Sequence, residues 1–290
     1  MDDLRLYSPN YVKQIINDYD FKFSKSLGQN FLIDGNIVRN IVKSAGVTKD
    51  DGVIEVGPGI GTLTEEISLQ AKKVVSVEID KTLLPILDET LGKYDNIKIV
   101  NDDILNIDLN KLIEEEFDNK KVKVVANLPY YVTTPIITKL IEKDYNIESI
   151  TVMVQKEIAE RMVAKPNSKQ YGSLSVFVQY YTDPEIMFEV PNSVFIPKPK
   201  VGSAIIKLNL KDELADTNRE KLFNIVRGSF ATRRKTILNS LSNYGFEGVE
   251  KEEIKKALID AGIDPISRAE QLNIEDYLRL EKVFPEKQER

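Results

Sequence analysis

The residues best suited to chemistry in this chain lie in Ala126-Asn127-Leu128-Pro129-Tyr130-Tyr131, directly after the β-branched run Val122 to Ala126. An exocyclic amine on an adenine ring is a poor nucleophile, because its lone pair is delocalised into the ring. At such a strand end two acceptors, the Asn127 side-chain oxygen and a backbone carbonyl near Leu128 or Pro129, can hold both N–H groups and free the lone pair. Pro129 stiffens the turn, and Tyr130 can stack on a flipped or unpaired base. The plain alternative is a turn in which Asn127 caps the backbone and Tyr130 packs.

A second group of residues suits a nucleoside. The run Val53 to Val56 leads into Gly57-Pro58-Gly59-Ile60-Gly61 and then a helix-like TLTEEIS. In a doubly wound sheet this first strand-to-helix turn borders the ligand, and glycine lets the backbone approach it closely. The spacing is not the dinucleotide G-x-G-x-x-G, because position 62 is Thr, and Gly-Pro-Gly is also ordinary turn chemistry. The next strand-like run ends in Glu78, whose carboxylate can accept from both hydroxyls of a ribose. NAD and S-adenosylmethionine both present such a ribose, so Glu78 does not choose between them. Asn101-Asp102-Asp103 ends the third run, where a carboxylate can accept from an adenine amino group; an acidic pair there is also an ordinary turn or helix cap.

Composition narrows the chemistry. The 290 residues include no His and no Cys, which excludes Ser-His-Asp hydrolysis, thiol nucleophiles, zinc held by thiolate or imidazole, and imidazole acid–base catalysis. No metal site is expected. The reaction must use carboxylates, amides, hydroxyls, lysines and backbone, beside a cofactor that carries the reactive group. A charged sulfonium needs no acid to leave, and the product amine can lose its proton to water.

The elements that must position these groups alternate in type. Strand-like runs at 53–56, 74–78, 97–100, 122–126 and 150–154 are separated by helical patterns at 62–70, 81–93, 108–116 and 134–143, the mark of a parallel α/β sheet. KEIAERMVA then reads as an amphipathic helix, and LSVFVQYY as either helix or strand. Pro191, Pro197 and Pro199 predict a rigid, extended connection. Beyond Leu210 only helical patterns appear. Residues 9–18 can form a short amphipathic helix with Val12, Ile15 and Ile16 on one side. The N-terminus lacks a basic n-region followed by an apolar h-region, and no window of about 18 apolar residues occurs, so a soluble, cytoplasmic protein is expected.

Together these segments resemble the KsgA-type small-subunit ribosomal RNA adenine dimethyltransferases, relatives of the Erm resistance methyltransferases. Besides EVGPGIG and NLPYY, the likeness rests on Leu27-Gly28-Gln29-Asn30-Phe31-Leu32, Tyr171-Gly172-Ser173-Leu174-Ser175, Val190-Pro191 through Phe195, Pro197, Pro199, Lys200 and Val201, Arg233-Arg234-Lys235-Thr236, and Ile263-Asp264-Pro265 through Arg268-Ala269-Glu270. It runs from about Lys22 to Tyr277. The resemblance implies a Rossmann-like S-adenosylmethionine-dependent methyltransferase domain over 22–210, after an N-terminal extension at 1–21, and an all-helical RNA-binding domain over 211–290. It also implies that Asn30 and the backbone of Leu32 close over the methionine end of the cofactor. Gly57 and Gly59 would form its turn, Glu78 would hold the ribose, and Asp103 rather than Asp102 the adenine. Asn127 would serve cofactor and target together, with Pro129 in the catalytic turn and Phe195 sandwiching the target adenine opposite Tyr130. One position departs from the pattern: Gly202 stands where the family usually has Asp, which implies a change in local loop structure or RNA contact.

Charge locates the partner. Residues 196–235 hold ten Lys/Arg against four acids, a local charge of +6 within a chain of −6, which leaves −12 for the rest. Such asymmetry predicts a basic face for the RNA backbone, with Lys198, Lys200, Arg233, Arg234 and Lys235 as its contacts. A monomer acting on small-subunit ribosomal RNA or the assembling small subunit is expected, with no membrane partner. Three rivals remain: an Erm-type enzyme acting on large-subunit RNA, an assembly factor that keeps the fold without catalysis, and a nicotinamide-dependent dehydrogenase, which leaves NLPY and the basic segment unexplained.

Overall fold

The computed structural model of the protein describes residues 5–24 and 27–285. In chain order the strands are β1 (Phe31–Leu32), β2 (Gly52–Val56), β3 (Lys73–Glu78), β4 (Ile97–Asn101), β5 (Val122–Asn127), β6 (Ile147–Gln155), β7 (Thr182–Val190), β8 (Phe195–Ile196) and β9 (Ser203–Leu210). Seven of them form one sheet in the order β4-β3-β2-β5-β6-β9-β7, and β1 pairs with β8 apart from it. The five strands from β4 to β6 run parallel, whereas β9 is antiparallel to β6. The β-branched runs occupy the middle of the sheet because both of its faces are covered there; Val53, Ile54, Val74, Val75, Val124 and Val125 are fully buried.

The helices are α1 (Pro9–Asp18), α2 (Gly35–Ala45), α3 (Thr62–Ser68), α4 (Leu84–Leu91), α5 (Leu109–Phe117), α6 (Thr133–Glu142), α7 (Lys156–Val163), α8 (Ser173–Tyr181), α9 (Arg219–Phe230), α10 (Ile237–Tyr244), α11 (Lys251–Asp260) and α12 (Ile274–Val283). Local chemistry sets their ends. The Asp34 carboxylate accepts the N–H groups of Asn36 and Ile37 at the start of α2, and Gly46 ends that helix in the left-handed conformation. Asp108 caps α5 in the same way.

Two compact units result. The first runs to Ala159 and takes in Pro184–Leu210; the second comprises Glu160–Asp183 and the chain from Lys211 onward. An uninterrupted domain over 22–210 is therefore not what forms: residues 160–183, with the YGSLS segment, fall in the helical unit. There LSVFVQYY is helix α8, and Phe177 meets Phe223 of α9 with ring centroids 5.0 Å apart. β7 and β9 flank the segment in which Pro191, Pro197 and Pro199 predict an extended connection, and neither is foreseen as a strand; the three prolines lie outside both. Nor is the N-terminal stretch a separate extension. Leu6, Val12, Ile15 and Phe21 are buried with Ile60, Leu83, Ile86 and Leu87 in the core of the first unit.

Candidate active site

Strand order reverses at β2, whose neighbours β3 and β5 lead to opposite edges of the sheet. Ligands bind beside the carboxyl ends of strands at such a point. A cavity of about 300 Å³ opens there, a volume suited to a small molecule. Its lining includes Asn30, Leu32, Gly57, Gly59, Glu78, Asp103, Asn127, Pro129 and Tyr130, so nine of the expected site residues converge on one space.

The glycine turn is built for close approach. Gly57, Gly59 and Gly61 all have positive φ, at 70°, 61° and 91°. A Cβ on Gly57 would meet no atom within 4 Å, so its backbone fronts open space, whereas one on Gly59 would come to 3.1 Å of the Phe31 ring. Glu78 is 4 % exposed. Its Oε1 accepts the Asp80 N–H at 2.8 Å and its Oε2 the Gly59 N–H at 3.3 Å, which fixes the carboxylate at the cavity wall. Ile79, 49 % exposed, and Leu105 add apolar surface to the lining. Asp103 makes the turn contact, its Oδ1 accepting the Leu105 N–H at 2.9 Å, and its half-buried side chain also lines the cavity. These groups fit an adenine nucleoside, with a carboxylate for the diol, apolar surface for the base and an open glycine turn for the attached chain.

Across the cavity, Asn127 Nδ2 donates to the Asn30 carbonyl at 3.0 Å. That bond fixes the amide and leaves Oδ1 as an acceptor with no hydrogen-bond partner among the described residues. Tyr130 places its hydroxyl 2.6 Å from Ser203 Oγ, and burial raises its phenol above the ordinary value. Tyr131, 59 % exposed, lines the mouth of the same cavity. Gly202 precedes that serine; it is exposed, and a Cβ there would meet no atom within 4 Å, so nothing in the structure explains the departure from Asp.

Phe195 does not reach the cavity. It is 1 % exposed and packs in the apolar cluster that includes Leu32, Val190 and Val194. The physical reason is strand pairing, since Leu32 lies opposite Phe195 in the β1–β8 ladder. In this structure Phe195 is a core residue, and no second aromatic faces Tyr130 from that segment.

Other contributors are invisible in sequence. Gln29 Nε2 donates to Asp80 Oδ2 at 2.6 Å, tying the segment before β1 to the loop after β3. Lys139 of α6 donates to the Leu105 and Ile107 carbonyls at 2.9 and 2.6 Å, which holds the loop carrying Asp103. Burial lowers the Lys139 pKa, as expected for a cation satisfied mainly by carbonyls.

Burial also pushes Glu78 up to about 7, against the backbone hydrogen bonds from Asp80 and Gly59 and with the Asp80 charge adding to the rise. Glu55, on the same wall, rises to about 7 through its own burial, although the Thr64 and Ser76 hydroxyls bond its Oε2 at 2.6 and 2.8 Å. Both folded values exceed the unfolded ones. Between the ordinary carboxyl range and pH 7 the folded protein therefore binds more protons than the unfolded chain, and these groups reduce stability as pH rises through that window. A diol donating to Glu78 favours the carboxylate, so binding a nucleoside cofactor should expel protons just below pH 7 and tighten as pH rises. Calorimetry in buffers of different ionisation enthalpy should show that release; a buffer-independent heat would contradict it.

The basic segment is divided between the units. Lys198 and Lys200 are exposed in the first, and Arg233, Arg234 and Lys235 lie in the second. Arg233 is committed: its Nη2 donates to the carbonyls of Lys169 and Tyr171 at 2.7 and 3.2 Å and lies 3.9 Å from Glu270. The segments YGSLS, RRKT and RAE thus meet at one guanidinium. Arg234 and Lys235 are exposed and have no ion-pair partner among the described residues. Replacing both with Ala should weaken RNA binding and reduce the slope of log affinity against log salt by about 1.4–1.8, without changing the melting midpoint. Arg233→Ala should instead lower stability, by roughly 1 kcal/mol. Equal effects of the two changes on melting would contradict this division.

A doubly wound sheet whose switch point holds an open glycine turn, a buried carboxylate and an Asn-Leu-Pro-Tyr turn around one cavity is the architecture of an enzyme that uses a nucleoside cofactor. The particular family follows from comparison: the chain belongs to the ribosomal RNA adenine dimethylase family, whose model matches residues 20–286. It is 54 % identical over 275 residues to the ribosomal RNA small subunit methyltransferase A of Alkaliphilus oremlandii, covering 94 % of this chain and 96 % of that protein. Against the protein of the same name from Clostridioides difficile, identity is 49 % over 282 residues, with 97 % of each covered. Among solved structures, a dimethyladenosine transferase from Plasmodium falciparum superposes with a TM-score of 0.72 at 27 % identity, covering 86 % of this chain and 95 % of that one. The 23S rRNA methyltransferase ErmE superposes with a TM-score of 0.65 at 28 % identity, over 88 % and 99 % of the two chains. The protein is an S-adenosylmethionine-dependent ribosomal RNA adenine dimethyltransferase.

Proposed function

We propose that the protein dimethylates the exocyclic amines of two adjacent adenosines near the 3′ end of small-subunit ribosomal RNA, on the assembling subunit. The observation that carries the reading is the Asn127 amide, anchored through Nδ2 on Asn30 with Oδ1 uncommitted at the cavity. S-adenosylmethionine supplies a methyl group already activated on a sulfonium. Glu78 holds the ribose diol, Asp103 the adenine amino group, and the glycine turn with Asn30 and Leu32 the methionine end. Asn127 Oδ1 and a carbonyl of the Leu128-Pro129 turn accept the target N–H groups and localise the nitrogen lone pair toward the methyl carbon, while Tyr130 stacks on the base. The nitrogen–carbon bond forms as the carbon–sulfur bond breaks, and the surplus proton passes to water. This sequence of events asks nothing of an imidazole or a thiol, which the chain lacks.

Small-subunit rather than large-subunit RNA is supported by the higher identity to the small-subunit enzymes than to ErmE, 54 % against 28 %. Arg234, Lys235, Lys198 and Lys200 supply phosphate contacts. All lining residues of the cavity come from the first unit. Among the described residues no helix is long and apolar enough to cross a membrane, and a ribosomal substrate supports a cytoplasmic location. Offering labelled methyl donor with each purified subunit tests the assignment. Label in small-subunit RNA is expected, label confined to large-subunit RNA would favour the ErmE-like reading, and label in neither would favour an assembly factor without catalysis.

A further inference from the structure

The function leaves residues 5–24 unused, yet their contacts lead toward the methyl-donor cavity. Glu65 of α3 is almost fully buried, and its carboxylate accepts the Leu6 N–H at 3.2 Å and the Tyr94 hydroxyl at 2.7 Å. The cations of Arg5 and Lys93 each lie 3.9 Å away. One turn earlier, Thr62 Oγ1, in the cavity lining, donates to the Leu6 carbonyl at 3.3 Å. The segment is thus fastened to the helix that the glycine turn begins. Val12 and Ile15 of α1 bury their apolar face with Ile60 and Leu83, both of which also line the cavity.

The far end of the segment reaches the cofactor loop. Phe21, Phe23 and Phe31 form a triad with ring centroids 5.2 to 5.7 Å apart. The Phe31 ring in turn sits against Gly59, whose N–H bonds Glu78. A polar path runs beside it. The Ser24 N–H donates to Gln29 Oε1 at 2.8 Å, Gln29 Nε2 to Asp80 at 2.6 Å, and the Asp80 N–H to Glu78 at 2.8 Å. Other bonds of the segment fasten it to the helices around the site: the Arg39 guanidinium of α2 donates to the Tyr7 hydroxyl at 3.0 Å, and the Tyr19 hydroxyl donates to Glu89 of α4.

We infer that residues 5–24 are a positioning strap for the methyl-donor site: clamped by Glu65 at one end, they set the place of Phe31, Gln29 and Asn30 through the Phe21–Phe23–Phe31 triad at the other. The inference rests on the reading of Leu27–Leu32 as the cofactor-holding segment. Phe23 is the residue at which to test it, because it is only half-buried and does not line the cavity. Weakening the triad lowers the fraction of molecules whose loop is correctly placed, and apparent affinity falls by that fraction.

The experiment measures steady-state kinetics with small subunits, and calorimetry with S-adenosylmethionine alone, for full-length Phe23→Ala, Phe23→Leu and Asn30→Ala. Phe23→Ala should raise the KM and Kd for S-adenosylmethionine by about tenfold, for a competent population reduced to about a tenth. Its kcat at saturation, its KM for subunits and its melting midpoint without cofactor should stay as in the parent, and Phe23→Leu, which keeps an apolar contact, should recover most of the affinity. Unchanged cofactor affinity in Phe23→Ala, or losses of affinity, kcat and melting midpoint in parallel, would overturn the strap. Asn30→Ala keeps the two questions apart: if it too leaves cofactor affinity unchanged, the reading of Leu27–Leu32 fails, and the strap with it.

Discussion

Asn127→Ala should lower methyl transfer by about two to three orders of magnitude, the size of effect seen when one preorganised hydrogen-bonding group is removed from a reacting centre. The loss should appear in kcat, because Oδ1 acts on the amine at the moment its lone pair becomes available, and a group used mainly in the transition state changes kcat more than binding. Folding should survive. The side chain is only partly buried, and its one internal hydrogen bond runs to the Asn30 carbonyl at 3.0 Å, where water can replace it. Turnover of labelled methyl into small-subunit RNA, beside a melting curve, checks both statements. Full activity in this variant would remove the proposed role of the amide.

The second large effect belongs to Glu78. Its carboxylate is held by two backbone N–H groups and has been argued to receive two ribose hydroxyls; a hydrogen bond to a charged group contributes about 1.5–3 kcal/mol. Glu78→Ala should therefore weaken S-adenosylmethionine binding by about 100-fold, as a KM effect with kcat at saturation much less affected. Above pH 7 the cofactor-free variant should melt no lower than the parent, because the change removes a buried carboxylate whose ionisation opposes folding. Calorimetry and melting curves at two pH values measure both. Parental affinity for the cofactor would show that the ribose is held elsewhere.

These two residues were legible in sequence for a physical reason. Glu78 and Asn127 end strands, Gly57 follows one directly, and a parallel sheet brings its strand ends to one edge whatever the intervening helices do. Position along the chain is then enough to place a side chain in the site. Phe195 lacked such a guarantee. Its motif carried a role but no orientation, and the pairing with Leu32, 163 positions earlier, turns the ring into the core. The same limit hid β7 and β9: the prolines at 191, 197 and 199 dominated the local pattern, while the antiparallel pairing of Ser203–Asn209 with Ser149–Gln155 that makes β9 a strand is long-range.

Charge was similarly ambiguous. Counting cations over 196–235 treated Arg233 as equivalent to Arg234, although the first spends its hydrogen bonds on the carbonyls of Lys169 and Tyr171 and the second does not. A tertiary acceptor distinguishes them, and no count could. Gln29 and Lys139 lacked a signal for the same reason, since their partners are 51 and at least 32 positions away. The N-terminal stretch showed its amphipathic helix plainly but not what its apolar face would cover, which was Ile60, Leu83, Ile86 and Leu87.

The most direct test of the central claim is mass spectrometry of ribosomal RNA from cells that lack this protein. Two adjacent dimethyladenosines should be missing near the 3′ end of the small-subunit RNA and should return when the parent gene is restored, but not when the Asn127→Ala gene is supplied. Both dimethyladenosines still present in cells lacking the protein would contradict the account.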